Sequence, residues 1–266
     1  MINNLFVSYA ASFFKIILFF VVLYAGLCLL LFIFQKNLIY FPGKKDFSDC
    51  AGFQGSELIN YNSVRGYFTA KNKDKVVVFY HGNAGRACDR GYLNKLFLDK
   101  EYSTFFVEYS GYAEENNSPS KKLILQNVDD VIIFLNTKGF KNIVVVSESI
   151  GTGPATYHAY KSNVSKLILI TPFNNLIDVA QAHYPIFPAK LLLTENFTPD
   201  KWIENYSGPV SFIFAENDEI MTGGVGQKLF EASHSTLKIT HTVLSSGHNS
   251  IYESEDFKAF LKNELP

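Results

Sequence analysis

The hydrophobic and polar positions of this chain fall into two regimes. From Ile16 to Phe34 it reads IILFFVVLYAGLCLLLFIF, with no charged residue. As a helix rising about 1.5 Å per residue, that run reaches roughly 28 Å, close to the ~30 Å hydrocarbon core of a bilayer. A buried soluble helix would carry a polar stripe or flanking caps, and the run has neither. A cleaved leader would be shorter and end in small residues, whereas this run ends in bulky residues and Gln35-Lys36. The pattern predicts a retained single-pass membrane anchor over 1–36. Leu5 to Phe14 is also apolar, divided from the main run by Lys15, and either extends the helix or lies at the interface.

After the juxtamembrane LIYFPGKK the pattern changes. Short apolar runs rich in β-branched residues read as buried strands: Val76 to Tyr80, Ser103 to Tyr109, Asn142 to Glu148, Lys166 to Ile170, Val210 to Glu216 and Leu237 to Val243. Between them lie segments with apolar residues at helical spacing. One runs through Leu93, Leu96 and Phe97, others over Lys122 to Asn136 and Thr152 to Tyr160, and a last one over Glu255 to Lys262. Leu58 to Asn60 and Gly66 to Thr69 are placed as an antiparallel hairpin at the start. Alternating strands and helices predict an α/β fold, a mostly parallel sheet covered on both faces. No repeat or linker divides 37–266, which reads as one domain. Residues 172–206 break the alternation: they are rich in Pro and aromatics and too long for a simple crossover, so they are expected to form a helical cap over a pocket.

Composition narrows the function. A net charge of -1 leaves no basic face of the size that nucleic acid binding needs. Cys28 lies inside the apolar run, while Cys50 and Cys88 are either two free thiols or one bridge. No Cys or His spacing suits a metal. Lys15 and the amino terminus flank the anchor on one side and Lys36, Lys44 and Lys45 on the other. By the positive-inside rule this leans, by a small margin, toward a cytosolic domain.

The sharpest chemical signal is Ser147-Glu148-Ser149-Ile150-Gly151, which follows a strand and opens a helix. That is the setting of a nucleophile elbow, where small residues two before and two after the serine let strand and helix pack closely. Gly151 meets the need, and Ser147 stands where glycine is usual. His81-Gly82-Asn83-Ala84-Gly85 also follows a strand, and such a loop can aim backbone N–H groups at a developing oxyanion. Asn83 N–H and Ile150 N–H are the expected oxyanion hole. An acid and then a histidine should follow the serine, each after a strand. Asp218 and His248 satisfy this order. Glu216 and Glu219 compete for the acid, as do Asp178 and Asp200 in the cap, and His81, His158, His183, His234 and His241 are histidines placed less well.

Taken together, these residues resemble the α/β-hydrolase superfamily, and more narrowly its N-terminally anchored group with protein depalmitoylases and a lysophospholipase. The resemblance covers nearly the whole chain: the anchor, Leu38 to Pro42, His81 to Gly85, Gly151 to Ala155, the cap start at Pro172, Asn217 to Ile220 and Gly247 to Asn249. It implies serine hydrolase chemistry on an ester or thioester, with Ser149, Asp218 and His248 as triad and no cofactor. The expected partners are the membrane and an acyl substrate, a lipid or an S-acylated protein. Ala113-Glu114-Glu115 departs from the group's usual glycine and serine and is expected to alter the pocket rim. Two other readings stay open, a non-catalytic binding or scaffold protein on the same fold and a peptidase of that fold.

Overall fold

The computed structural model describes residues 2–266, with side chains from Ser12 onward. One helix, α1 (Ile2–Ile39), contains the whole apolar run and the Leu5 to Phe14 segment. Among the described residues it alone is long and apolar enough to cross a membrane. It continues three residues past the expected anchor boundary at 36, so that boundary lies inside a helix.

Eight strands form one sheet: β1 (Glu57–Tyr61), β2 (Val64–Thr69), β3 (Lys75–Tyr80), β4 (Ser103–Glu108), β5 (Asn142–Glu148), β6 (Lys166–Ile170), β7 (Val210–Ala215) and β8 (Lys238–Val243). Their spatial order is β8-β7-β6-β5-β3-β4-β2-β1. β1 pairs antiparallel with β2, and β2 antiparallel with β4. From β4 to β8 every pairing is parallel. The central strands are continuous apolar runs because both faces are covered. Val76, Val78 and Tyr80 of β3 enter one core, Val77 and Phe79 the other. β5 divides in the same way, Ile143 and Val145 against Val144 and Val146.

The crossover helices carry local signals that set their ends. In α3 (Lys121–Lys138) the Ser120 side chain accepts from Leu123 N–H, and Gly139 closes the helix in the left-handed region at φ 79°. α2 (Asn94–Leu98) is preceded by a 3₁₀ stretch over Ala87–Leu93, α4 (Thr152–Lys161) follows β5, and α8 (Val225–Ala232) and α9 (Glu255–Asn263) flank β8. Between β6 and β7, residues 172–206 fold into three short helices, α5 (Leu176–His183), α6 (Ala189–Leu192) and α7 (Pro199–Ile203).

Cys50 and Cys88, which spacing left open, form a disulfide with Cα atoms 5.7 Å apart. It joins the segment after α1 to the 3₁₀ stretch after β3. In the chain-entropy model a closed loop of this length stabilises the fold by about 4 kcal/mol.

Candidate active site

The sheet gathers four loops at the carboxyl ends of its parallel strands β3, β5, β7 and β8, where ligands bind in open α/β sheets. Ser149 directly follows β5 at φ 50°, a left-handed conformation that costs a non-glycine residue energy and is held here by its surroundings. The turn needs Gly151: a Cβ there would collide with the Tyr80 carbonyl oxygen of β3. Ser147, by contrast, fits inside β5 with its Cβ in place and is fully buried.

Three side chains from three strand ends meet in one hydrogen-bonded line. Ser149 Oγ lies 3.0 Å from His248 Nε2. His248 Nδ1 lies 2.9 Å from both carboxylate oxygens of Asp218. Burial pushes the Asp218 carboxyl up, but His248 and the backbone N–H groups of Met221 and Ile220 outweigh it, so the carboxyl sits below the usual range. The two N–H donors reach Asp218 Oδ1 at 2.7 and 2.9 Å. Ser149 and His248 are both buried.

The neighbouring carboxylates do other work. Glu219 accepts the backbone N–H of His248 at 3.0 Å, and Glu216 accepts that of Ser245 at 2.7 Å. Both brace the histidine loop, and neither touches the imidazole Nδ1. Asp178 pairs with Lys228, and Asp200 accepts from Asn175. Three of the other histidines have partners elsewhere. His158 packs behind the elbow with Nδ1 2.8 Å from the Tyr80 phenol, and burial pushes its pKa down to about 3. His241 lies 2.8 Å from Asp256, and His183 lies 2.7 Å from the Ile220 carbonyl.

The loop after β3 is clamped from below. Glu148 Oε1 accepts Gly82 N–H and Arg90 Nε–H, each at 2.9 Å, and forms an ion pair with Arg90 Nη2. Burial pushes this carboxyl up, and the Arg90 charge more than reverses it. From the side, Tyr109 donates to the His81 carbonyl and Tyr112 to the Asn83 carbonyl, both at 2.8 Å. Asn83 and Ile150 line the same cavity as Ser149. Sequence reasoning missed Glu148 and Arg90. Glu148 sits inside the elbow motif, but nothing local marks Arg90 as its partner.

That cavity holds about 420 Å³, within the range of small-ligand pockets. Its walls are mainly apolar and come from α5, α6, the loops after β3 and β5, and α1. Residues 113–115 are absent from them, which corrects the expectation that they shape the rim. They form a turn tied to Arg65, whose guanidinium bonds the Tyr112 and Ala113 carbonyls and Glu115. A short polar turn bound to a strand arginine is drawn toward β2, away from the pocket.

No family model matches the chain. It is 27% identical over 188 residues to a putative alpha/beta hydrolase of Acanthamoeba polyphaga mimivirus, covering 67% of this chain and 68% of that one. It is 26% identical over 207 residues to the human alpha/beta hydrolase domain-containing protein 17B, covering 73% and 68%. Against the lysophosphatidylserine lipase ABHD12 of Xenopus tropicalis the identity is 26% over 242 residues, covering 80% and 61%. Among solved structures, the Pyrococcus furiosus esterase PF2001 superposes with a TM-score of 0.65 at 13% identity, covering 85% of this chain and 96% of that one. The Paleococcus ferrophilus monoacylglycerol lipase does so at 0.58, with 13% identity and 76% and 96% coverage. At such identities the structural likeness speaks for the fold alone. The chain has the α/β-hydrolase fold, and its sequence is similar to members of that superfamily. Within it, the chain is similar to the group that holds domain-containing protein 17B and ABHD12.

Proposed function

We propose that this protein is a membrane-anchored serine hydrolase that cleaves ester or thioester bonds of acyl substrates. The observation that carries the reading is the unbroken line Asp218–His248–Ser149 at the floor of an apolar cavity. Unprotonated His248 Nε2 takes the Ser149 proton as Oγ attacks the acyl carbon. The carbonyl oxygen gains the charge and accepts from Asn83 N–H and Ile150 N–H. Asp218 holds the imidazole in the tautomer that leaves Nε2 free and stabilises its charged form. His248 then donates the proton to the departing oxygen or sulfur, and the acyl group remains on Ser149. Water, deprotonated by His248, releases the acid and restores the serine. The apolar lining favours a fatty acyl chain, each buried CH₂ contributing about 0.8 kcal/mol. Lysolipids, monoacylglycerols and S-acylated peptides are the substrates in view.

The anchor reading rests on α1, and the side of the membrane on the disulfide. A bridge between Cys50 and Cys88 belongs to an oxidising compartment. We therefore set the domain on the extracytoplasmic or lumenal side, against the small lysine margin that leaned toward the cytosol. Asn163 and Asn205, both exposed, stand in Asn-X-Ser sequences. Expressed in eukaryotic microsomes, the chain should gain endoglycosidase-sensitive mass at these sites, and an unglycosylated chain with reduced Cys50 and Cys88 reverses the orientation.

The decisive test of function is labelling by a fluorophosphonate probe. Wild-type protein should label at Ser149, and Ser149→Ala should lose both labelling and ester hydrolysis, about 10⁴-fold or more. A variant that labels or turns over at the wild-type rate overturns the reading, and so does a wild type that never labels, the outcome expected of a scaffold.

A further inference from the structure

α1 does more than precede the domain, because it lies against it. One face of the helix, marked by Tyr24, Cys28, Leu31, Gln35 and Ile39, is drawn out of full exposure or bonded to the cap. The spacing follows successive turns of a helix, so these side chains form a single stripe. Tyr24 donates to the Ile186 carbonyl at 2.7 Å, and its ring stacks on Phe187 with centroids 5.7 Å apart. Gln35 is buried, and its amide is fully used. Its oxygen accepts Thr194 N–H at 2.8 Å, the Thr194 hydroxyl at 3.0 Å and Glu195 N–H at 3.1 Å. Its nitrogen donates to the Phe32 and Leu192 carbonyls. A buried amide on an apolar helix is costly unless satisfied, and here the cap backbone satisfies it.

The docked stripe reaches the reaction centre. Leu31, Gln35, Leu38 and Ile39 line the cavity that holds Ser149. The last turn of α1 is also tied to the oxyanion loop: Asn83 Nδ2 donates to the Ile39 carbonyl at 3.2 Å, and Phe41 N–H donates to the Asn83 carbonyl at 2.9 Å. Opposite α1 the wall comes from Tyr184, Phe187 and Leu192.

The membrane geometry agrees. The apolar stretch Ser12–Ile39 has 28 residues, about 42 Å of helix against a hydrocarbon core of ~30 Å. With Ser12 at one boundary, the helix leaves the hydrocarbon near residue 32, and Tyr24 lies roughly 12 Å below that domain-side boundary. The cap segment that touches Tyr24 then reaches into the bilayer, and it presents Ile186 and Leu191 at 73% and 78% exposure. A chain could pass from the bilayer into this slot without crossing water.

We propose, resting on the hydrolase reading above, that α1 is one wall of the acyl-binding slot, with Leu31 and Leu38 as specificity-determining residues for a long acyl chain entering from the membrane. The test is kcat/KM for p-nitrophenyl esters of two to sixteen carbons, with the full-length protein in phosphatidylcholine liposomes. Leu31→Trp places an indole in the slot and should lower the sixteen-to-four-carbon ratio at least tenfold. Ile33→Trp makes the same change on the opposite face of the helix and should keep the wild-type ratio. Equal ratios in the two variants overturn the inference while leaving the hydrolase reading intact. A wild type that neither turns over any ester nor labels at Ser149 overturns both. A second measurement needs no variant: a long-chain fluorophosphonate with a photoreactive group near the chain end should crosslink to residues 27–39. Adducts confined to the cap or the sheet overturn the inference even when Ser149 is labelled.

Discussion

The floor and the roof of the cavity are built by different means. The floor is the carboxyl edge of a parallel sheet. Its serine and acid follow strands held by neighbours on both sides, and its histidine follows the edge strand β8, which pairs with β7. Its second layer, Glu148 with Arg90, is almost wholly buried. The roof is assembled from α1, α5 and α6, segments from opposite parts of the chain. Gln35 alone makes contacts that span 157 to 160 residues. Large apolar residues at its edge face outward, Leu191 at 78% exposure among them. The contrast separates two tasks. The sheet brings the serine, histidine and acid into hydrogen-bond contact, the close placement that the proposed chemistry needs. The roof needs only to present apolar surface of the right depth. Changes to the floor should therefore lower turnover for every substrate, and changes to the roof should re-rank substrates.

The largest effect after loss of the nucleophile should come from Asp218→Asn. The amide keeps the shape but favours the wrong imidazole tautomer, and kcat should fall about 10⁴-fold at every acyl length. Glu216→Gln and Glu219→Gln, which touch only backbone N–H groups of the histidine loop, should stay within about tenfold. Steady-state rates for the three variants rank the acids directly, and a more severe Glu219→Gln would transfer the role to that residue.

Next comes Glu148→Gln. It leaves Arg90 without its counter-charge and loosens the grip on Gly82 N–H, one residue before the Asn83 donor. A displacement of the donor by a fraction of an ångström should cost roughly 10- to 100-fold in kcat. KM and the ratio between long and short esters should change little. A fall in that ratio instead would show that floor and roof are coupled through the Asn83–Ile39 contact.

Much of the floor was legible in the sequence, because buried parallel strands leave a local mark. Asn142 to Glu148 and Lys166 to Ile170 appear with the boundaries their β-branched runs suggest. The order of serine, acid and histidine follows from strand ends. The roof was legible in part: the Pro- and aromatic-rich stretch 172–206 marked a cap, but nothing marked α1 as its other half. A helix apolar around its whole circumference looks the same whether a side meets lipid or a cap, so only Gln35, one polar residue at the end of the run, hinted at docking. The disulfide and the Arg65-bound turn were hidden for a related reason. Each joins segments far apart in sequence, and neither spacing nor composition reports such contacts.

His158 provides a measure of how tightly the floor is packed. Its pKa falls from an ordinary 6.5 to about 3. Between those values the unfolded chain binds a proton that the native chain excludes. Stability therefore rises with pH across that window and is lost as pH falls from about 6.5 toward 3, by up to ~1.4 kcal/mol per pH unit. His158→Asn removes the titration while its amide oxygen can still accept from Tyr80. Thermal midpoints of the detergent-solubilised protein between pH 7 and 4 should fall less steeply for the variant. Parallel curves would mean that water already reaches the imidazole.

The smallest effect concerns the residue at which the elbow departs from its usual pattern. Ser147 and Gly151 flank the nucleophile symmetrically in sequence but not in space. A Cβ at 151 meets the Tyr80 carbonyl oxygen, whereas the Cβ at 147 is accommodated within β5 between β3 and β6. Only the second position demands glycine, and Ser149 keeps its left-handed backbone with serine at the first. What Ser147 does carry is a fully buried hydroxyl without a hydrogen-bond partner among the described residues. Burying such a group costs about 1–3 kcal/mol. Ser147→Ala removes the hydroxyl and keeps the Cβ, so it should raise stability by about 1 kcal/mol, or roughly 2–4 °C in Tm for a domain of this size. Ser147→Gly also removes it but frees the unfolded backbone, which offsets about 0.5–1 kcal/mol of the gain. Turnover should stay within about twofold for both. A lower Tm for Ser147→Ala would reveal a partner for the hydroxyl, and a large loss of kcat in the same variant would make the serine part of the elbow's chemistry rather than of its packing.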